Sequence, residues 1–245
     1  MAEPIHEMLG LTPGKKQVIA LCGGGGKTTL LYALARESAP LAKTAIFTTT
    51  HIFPPTGEDI RLLEPFDPAL CREAFAAGRI VAAGTWLPDE KRLGMPEEET
   101  MAFLLREADC VYIEADGSKR LPLKYPNDTE PVLLPEVTDV VVVAGLSALG
   151  RETESVFHRL SLARERMEIP ETTVTEELMA RVLYAGYGRF QPIFFLNQAD
   201  TPALFSAGER VAAELSRLGA ERVAVGSLYD RLREREDCIP GEKRL

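Results

Sequence analysis

Short apolar runs alternate along this chain with segments in which apolar residues recur at helical spacing. Seven of the runs are apolar at nearly every position and predict strands at residues 17–22, 44–49, 79–84, 110–115, 139–145, 192–197 and 222–227. Uniformly apolar strands are typical of a sheet that helices cover on both faces. The repeated alternation of strand and helix therefore predicts an α/β fold of three layers around a mainly parallel sheet.

Capping residues mark several helix ends. Asp67 and Pro68 are residue types preferred at an N-cap and at the first helical position, and Gly78 follows the expected end of that helix. Thr173 and Ser206 each precede a glutamate by three residues, which is a capping-box pattern. The sequence thus predicts two further helices that begin next to Thr173 and Ser206.

A glycine-rich segment between the first strand and the first helix predicts a phosphate-binding loop. It consists of Gly23, Gly24, Gly25, Gly26, Lys27, Thr28 and Thr29. Glycine lets backbone amides approach phosphate oxygens without a Cβ in the way, and the following helix directs its positive dipole end at the same anion. Lys27 supplies positive charge to the outer phosphates, and the Thr28 hydroxyl is a candidate Mg²⁺ ligand.

The spacing of this loop departs from the Walker A pattern. G-x-x-x-x-G-K-[ST] requires a glycine at position 21, where this chain has Leu21. The match begins at Gly23 and is similar to the shorter loops of the Mur ligases. A flexible glycine linker is the alternative interpretation, although a linker rarely joins a buried strand to an amphipathic helix. We expect a single P-loop NTPase-like domain over residues 1–245, with a functional loop or insert at 117–135.

Two acidic residues close the strand at 110–115, where ligands of a parallel sheet bind. Glu114 and Asp116 lie two positions apart, so both can face one site, and Mg²⁺ would relieve their mutual repulsion. We predict a metal site of Thr28, Glu114 and Asp116, and a catalytic set of Lys27, Glu114 and Asp116. Gly117 completes an element similar to the Asp-x-x-Gly of GTPases, whose glycine amide contacts the γ-phosphate. The alternative is a strand that ends in a polar turn.

Two other strand ends carry candidate contacts. Thr49 and Thr50 can bind substrate, although threonine is also a common strand residue. Asn197 and Asp200 match the outer positions of the Asn-Lys-x-Asp element of GTPases, with Gln198 in place of the lysine. They predict a site for ATP or GTP in which Asp200 faces the base, and helix capping is the alternative for this aspartate.

The polar segment at 117–135 contains basic residues directly after the acidic pair. Lys119 and Lys124 are candidate substrate contacts, because an acidic protein that binds an anion needs local positive charge. A solvated loop is the alternative interpretation.

Composition limits the kinds of partner and the cellular compartment that we expect for this chain. The net charge is −9 without a basic stripe, which argues against nucleic acid. No apolar run approaches the roughly 20 residues that span a bilayer, and the amino terminus lacks the pattern of a signal peptide. Four cysteines are scattered without a C-x-x-C pair. We therefore expect a reduced cytoplasmic protein without a membrane partner.

Several of these segments together resemble the YqeC family. They are GGGGKTT, TTTHIF, IEADGSKRLPLKYP, VVVAGLSALGR and LNQAD, and the similarity extends roughly from residue 10 to residue 230. Members of this family are described as accessory proteins of selenium-dependent molybdenum hydroxylases. The resemblance implies a nucleoside-triphosphate-binding protein that acts in selenium cofactor biosynthesis, with a molybdenum hydroxylase or its cofactor as a partner.

The sequence leaves the reaction open. A Mg²⁺-dependent NTPase or phosphotransferase is the leading hypothesis. A nucleotide-gated chaperone with little turnover is an alternative, because no catalytic base is evident. A small-molecule kinase or an ATP-dependent ligase is a further alternative.

Overall fold

The computed structural model describes residues 3–229 of the 245-residue chain. These residues form twelve strands, namely β1 (Gln17–Gly23), β2 (Thr44–Thr48), β3 (Ile60–Leu63), β4 (Ile80–Ala83), β5 (Thr85–Leu87), β6 (Arg92–Gly94), β7 (Cys110–Glu114), β8 (Leu123–Lys124), β9 (Asp139–Gly145), β10 (Phe157–His158), β11 (Ile193–Asn197) and β12 (Arg222–Val225). They also form eight α-helices, namely α1 (Ile5–Met8), α2 (Lys27–Ser38), α3 (Pro68–Ala76), α4 (Glu98–Glu107), α5 (Thr153–Val156), α6 (Leu160–Arg166), α7 (Glu176–Tyr187) and α8 (Pro202–Leu218).

Eight of the strands form one central sheet in the order β12-β11-β9-β1-β7-β2-β4-β3. Every pairing in this sheet is parallel. All seven predicted strands belong to it, so the prediction of a mainly parallel α/β sheet is confirmed. The eighth, the edge strand β3, has an exposed Arg61 between its buried ends and lacks the uniformly apolar pattern of the others.

Helices cover both faces of the sheet, which confirms the three layers. Alternate residues of β1 show the division, because Ile19 packs with α1 and α2, whereas Val18 faces the opposite side. On that opposite side α3 and α4 cover one half of the sheet, and α6, α7 and α8 cover the other half. Burial of each large apolar side chain contributes about 1.5–3 kcal/mol, so these two faces carry most of the stability.

One predicted helix start is confirmed by its cap. The Asp67 carboxylate accepts hydrogen bonds from the amides of Ala69 and Leu70, at 2.7 and 3.2 Å, and Pro68 is the first residue of α3. The helix ends at Ala76, two residues before the predicted terminal glycine.

Both capping-box predictions were wrong in position. The N-cap of α7 is Thr175, whose hydroxyl accepts from the Leu178 amide, so Thr173 lies outside the helix. The N-cap of α8 is Thr201, and Ser206 lies inside that helix. In each case the hydroxyl of a threonine directly before the helix accepts a hydrogen bond from an amide of the first turn. In α8 the proline after Thr201 also favours the earlier start.

Two small sheets stand beside the central one. β5 and β6 form an antiparallel hairpin, and β8 pairs in parallel with β10. Since β8 lies within residues 117–135, the segment predicted as a functional loop contains one short strand. No helix within residues 3–229 is long and apolar enough to cross a membrane. Cys22, Cys71 and Cys110 are buried free thiols, and Cys238 lies outside the described residues.

Candidate functional site

The carboxyl ends of three neighbouring strands bring the predicted site residues together. Glu114 at the end of β7 is in register with Leu21 of β1 on one side and with Thr48 of β2 on the other. The loop after β1 and the loop after β2 therefore flank the acidic end of β7. This is the arrangement that the strand-end rule predicts for a ligand site in a parallel sheet.

The loop between β1 and α2 requires glycine. Gly25 has a φ of 72°, and a Cβ there would lie 2.3 Å from the Gly145 nitrogen. At Gly24 a Cβ would lie 2.4 Å from the Leu121 carbonyl oxygen. Both obstacles are backbone atoms, which cannot move aside cheaply, so these glycines let the loop pass close to its neighbours.

Three of the loop amides are held by acceptors of the protein itself. The acceptors are Asp116 Oδ2 for the Gly23 amide at 3.0 Å, the Val143 carbonyl for Gly24 at 2.8 Å and the Leu121 carbonyl for Gly25 at 3.2 Å. These three glycines are also buried. The predicted phosphate-binding loop therefore has fewer amides free for phosphate than the tetraglycine segment suggests.

The amino terminus of α2 is the part of the loop that remains open to an anion. Its N-cap, Gly26, offers no side-chain cap, and the first turn contains no acidic residue. The first amides of an α-helix lack intrahelical acceptors and carry the positive end of the helix dipole. Gly26, Thr28 and Thr29 are each partly exposed, so an anion can reach this turn.

Lys27 turns back onto its own loop. Its Nζ donates to the Gly23 carbonyl at 2.7 Å and lies 3.3 Å from Asp116 Oδ1. The residue is only 4% exposed. Burial alone would lower the pKa of Lys27, but the carboxylates of Asp116 and Glu114 outweigh it and raise the pKa above its ordinary value. Lys27 is therefore a buried but charged ammonium group.

Thr28 and Glu114 form the second contact between α2 and β7. The Thr28 hydroxyl donates to Glu114 Oε2 at 2.7 Å. Burial raises the pKa of Glu114, while Lys27 and the Thr28 hydrogen bond act in the opposite direction. A hydroxyl and a carboxylate oxygen side by side are ligands that suit Mg²⁺, which takes one or two carboxylates and fills its other positions with phosphates and water. Within residues 3–229 no group of three or more His, Cys, Asp or Glu side chains is placed to hold a metal ion.

Asp116 is fully buried and already has four partners. Its Oδ2 accepts from the Gly23 amide at 3.0 Å and the Tyr187 hydroxyl at 3.0 Å, and Lys124 Nζ lies 2.8 Å away. Its Oδ1 has no hydrogen bond, and Lys27 Nζ faces it at 3.3 Å. The Asp116 carboxylate is thus surrounded by groups of the protein, whereas Glu114 contacts the Thr28 hydroxyl, which is the predicted Mg²⁺ ligand.

A chain of ion pairs continues from Asp116 away from the loop. Lys124 Nζ lies 2.7 Å from Glu130 Oε2, and Arg159 pairs with the same carboxylate. The Lys124 side chain is completely buried. Of the two lysines predicted to contact substrate, Lys119 is the exposed one.

The hydroxyls of both threonines after β2 have partners within the protein, since the Thr50 hydroxyl lies 3.2 Å from the Thr48 hydroxyl. The Thr49 hydroxyl donates to the Val132 carbonyl at 3.0 Å, and this residue is buried. Thr50 is partly exposed, and its amide donates to the Thr48 hydroxyl at 2.9 Å. Thr50 is therefore the more accessible of the two predicted contacts. Gly117, which follows the acidic pair, is also partly exposed.

The predicted base-binding residues lie on the other side of the loop, after β11. Asn197 Nδ2 donates to the Gly25 carbonyl at 2.8 Å, and its Oδ1 accepts from the Leu228 amide at 3.1 Å. Asp200 is exposed and accepts a hydrogen bond from the Ser227 hydroxyl. Asn197 thus links the glycine loop to the segment after β12, and Ser227 orients the Asp200 carboxylate.

Sequence reasoning missed three residues of this arrangement. Tyr187 ends α7 and is 71 positions from Asp116, so no spacing pattern connects them. Glu130 lies in the polar segment 117–135 without a distinguishing neighbour. Ser227 is the last residue of the strand predicted at 222–227, so the strand-end rule applied there would have found it.

A groove of about 450 Å³ lies elsewhere, beyond β3 and β4. Phe66 and Phe103 line it together with several glutamates, and none of the predicted site residues does. The largest groove described and the cluster of predicted site residues therefore lie in different places, and we place the site by the chemistry of the clustered residues.

Comparison with known proteins agrees with the resemblance seen in the motifs. A family model described as "YqeC protein" matches residues 19–161, which is more than half of the chain. A protein of Escherichia coli (strain K12) named "Uncharacterized protein YqeC" is 37% identical over 226 residues, which cover 87% of this chain and 88% of the relative. On both grounds the chain belongs to the YqeC family.

Proposed function

We propose that this chain is a P-loop NTPase-like protein that binds a nucleoside triphosphate with Mg²⁺ and cleaves or transfers its γ-phosphate. One observation carries the proposal: an uncapped helix N-terminus, a buried charged lysine and a paired hydroxyl and carboxylate converge at the end of β7. Each of these groups favours either phosphate or Mg²⁺, and their convergence supports a site for both.

The phosphates bind at the first turn of α2 in this proposal. The amides from Gly26 to Thr29 and the Lys27 ammonium face the outer phosphates, because the amides of Gly23, Gly24 and Gly25 are already used by the protein. The contact of Asn197 with the Gly25 carbonyl holds the loop in this shape. The protein thus contributes positioning and positive potential, which are the main sources of catalysis in phosphoryl transfer.

Thr28 and Glu114 would hold Mg²⁺. Asp116, predicted as a third ligand, acts instead through Lys27 and the Gly23 amide, because its oxygens face four protein donors. When bound, Mg²⁺ withdraws charge from the phosphate oxygens as the γ-phosphate leaves.

The base faces Asp200 in this proposal, and guanine fits it better than adenine. A carboxylate oriented by Ser227 can accept two hydrogen bonds from N1–H and the N2 amine of guanine. Adenine offers an acceptor at N1 and therefore only one donor on the same edge. We propose GTP as the preferred nucleotide and ATP as the weaker one.

Calorimetric titration tests this function. The purified chain is titrated with GTP, ATP and their diphosphates, each with Mg²⁺ and with EDTA. We expect the order GTP, ATP, diphosphates in decreasing affinity, and weaker triphosphate binding in EDTA. Absence of heat for both triphosphates with Mg²⁺ would refute the proposal.

A nucleotide-gated binding module is the second candidate. It is favoured by the arrangement of the acids, since Glu114 contacts Thr28 and Asp116 is fully engaged, so neither is placed as a free base. Phosphate release measured with and without a selenium-dependent molybdenum hydroxylase separates the candidates. Turnover by the chain alone supports an NTPase, turnover only with the hydroxylase supports a gated module, and phosphate found on a small molecule supports a kinase.

The cellular role rests on the resemblance in sequence. We propose that the nucleotide cycle assists maturation of a selenium-dependent molybdenum hydroxylase or its cofactor in the cytoplasm. Loss of hydroxylase activity in a strain that carries Lys27→Ala, with normal amounts of the hydroxylase polypeptide, is the expected result. Full hydroxylase activity in that strain would contradict the role.

A further inference from the structure

Lys124 is a second buried lysine beside the phosphate site, and the proposed function does not use it. Its Nζ lies 2.8 Å from Asp116 Oδ2 and 2.7 Å from Glu130 Oε2. The side chain is fully buried. A buried ammonium group is costly unless it is paired, so its two carboxylate partners need an explanation.

Asp116 holds both lysines at once. Lys27 faces its Oδ1 at 3.3 Å, and Lys124 faces its Oδ2 at 2.8 Å. The Tyr187 hydroxyl and the Gly23 amide also donate to Oδ2, at 3.0 Å each. The carboxylate therefore competes with a phosphate for the ammonium group of Lys27.

This competition would oppose nucleotide binding if Lys27 were the only cation near Asp116. When Lys27 turns towards a phosphate oxygen, its pairing with a completely buried carboxylate weakens. Removing the only cation that faces a buried carboxylate is strongly unfavourable, which would cancel much of the gain from the phosphate contact. A second cation on Asp116 removes that cost.

We propose that Lys124 is a positioning residue that retains the charge of Asp116 and so frees Lys27 for the phosphates. Glu130 and Arg159 complete the arrangement, since Arg159 pairs with the carboxylate on the far side of Lys124. Lys124 and Arg159 are thus two cations that face the two carboxylates of Asp116 and Glu130 without the help of Lys27. This inference rests on the proposed triphosphate site. It attributes part of the affinity for the triphosphate to Lys124, which does not contact the ligand.

The test compares Lys124→Met with the double variant Asp116→Asn/Lys124→Met. Methionine has a similar length without charge, so in the single variant Lys27 becomes the only cation on Asp116. We expect its affinity for Mg²⁺–GTP, measured by calorimetry, to fall about tenfold. In the double variant Asp116 no longer holds Lys27 through a charge, and we expect the affinity to rise above that of the single variant.

A merely structural role for Lys124 predicts that Lys124→Met lowers the unfolding temperature and that the double variant recovers it, with the affinity of the folded protein for Mg²⁺–GTP unchanged in both. Thermal unfolding of each variant checks the fold, and Lys15→Met, at an exposed position, is the matched control. The charge-balanced double variant keeps the test informative if the single variant is unstable.

The outcomes separate this inference from the proposed function. A wild-type chain that does not bind Mg²⁺–GTP would refute both. A wild-type chain that binds, with a single variant of equal affinity or a double variant as weak as the single one, would overturn the role of Lys124 alone. The second of these results is also what a metal-ligand role of Asp116 predicts.

Discussion

Lys27 is a cation that the fold keeps charged although it is almost completely enclosed. The nearby carboxylates of Asp116 and Glu114 overcome the effect of burial on its pKa. The energetic consequence is a positive charge fixed in a medium of low dielectric, where it acts on an anion more strongly than a solvated lysine does. The following two predictions concern single residues around this charge.

Lys27→Ala removes the ammonium group and leaves Asp116 paired with Lys124. We expect Mg²⁺–GTP affinity to fall about tenfold to a hundredfold, because a charge-assisted contact contributes about 1.5–3 kcal/mol. Lys15→Ala, at an exposed position, should bind as the wild type does. Calorimetry of both variants measures the effect, and equal affinities would show that Lys27 does not face the phosphates.

Glu114→Gln keeps the size of the side chain and removes its charge. We expect the concentration of Mg²⁺ needed for half-maximal GTP binding to rise about tenfold, because Mg²⁺ strongly prefers a carboxylate to an amide oxygen. Binding in EDTA should change little. The matched control is the exposed Glu98→Gln. An unchanged Mg²⁺ dependence in Glu114→Gln would remove Glu114 from the metal site.

The element that decides the site is the turn from β1 into α2. Its backbone runs against the end of β9 and the segment before β8, so its shape depends on both of these parts of the chain. The loop is therefore rigid, and the hydrogen bonds of its first three amides hold it in place. A substitution that disturbs the packing of this turn should affect stability and ligand binding together.

Gly25→Ala tests this coupling. A Cβ at Gly25 would lie 2.3 Å from the Gly145 nitrogen, whereas a Cβ at Gly78, which also has a positive φ, would meet nothing within 4 Å. Gly78→Ala should cost only the roughly 1–2 kcal/mol of the left-handed conformation. We expect Gly25→Ala to lower the free energy of unfolding further and to weaken GTP binding, whereas Gly78→Ala should leave binding intact. Chemical denaturation and calorimetry measure both effects, and equal losses in the two variants would contradict the close packing.

The sequence predicted the elements whose pattern is dominated by burial. All seven uniformly apolar runs are strands of the central sheet, because such runs are stable only between two layers of helices. β3 and the helix starts at Thr175 and Thr201 were missed or misplaced, since an edge strand is half exposed and several hydroxyls compete for each cap. Local pattern identifies an element more reliably than it identifies the element's first residue.

At the site, too, the sequence predicted the general location but not the detailed contacts. The strand-end rule correctly brought Lys27, Glu114 and Asp116 together, because register in a parallel sheet fixes where strands end. It could not show that Asp116 is held by Tyr187, which comes from a distant helix. Nor could it show that three glycine amides are occupied by carbonyl and carboxylate acceptors, because that depends on how loops pack in three dimensions.

Across the described part of the molecule, ion pairs connect Asp116, Lys124, Glu130 and Arg159 beside the proposed phosphate site. Burial and the nearby cations lower the pKa of His158 to about 4 from an ordinary 6.5. The charged groups that act on it are Arg159, Lys124, Lys119 and, in the opposite direction, Glu130. The folded chain therefore resists protonation of a histidine that the unfolded chain protonates freely.

This difference predicts a pH-dependent stability. As pH falls from about 6.5 towards 4, the unfolded state takes up a proton at His158 that the folded state does not, so the free energy of unfolding decreases across this window. His158→Gln should show a smaller decrease over the same range. The exposed His51→Gln should behave as the wild type does. Denaturation curves at several pH values test this, and identical slopes in His158→Gln and wild type would contradict it.

The most direct test of the account is a crystal structure of the chain with Mg²⁺ and a non-hydrolysable GTP analogue. We predict that the β- and γ-phosphates lie at the first turn of α2 within hydrogen-bonding distance of Lys27 Nζ, with Mg²⁺ about 2.0–2.1 Å from the Thr28 hydroxyl oxygen. In that structure Lys124 should still pair with Asp116. A triphosphate bound elsewhere, or a Lys27 that remains on the Gly23 carbonyl and Asp116 without touching phosphate, would contradict the central claim.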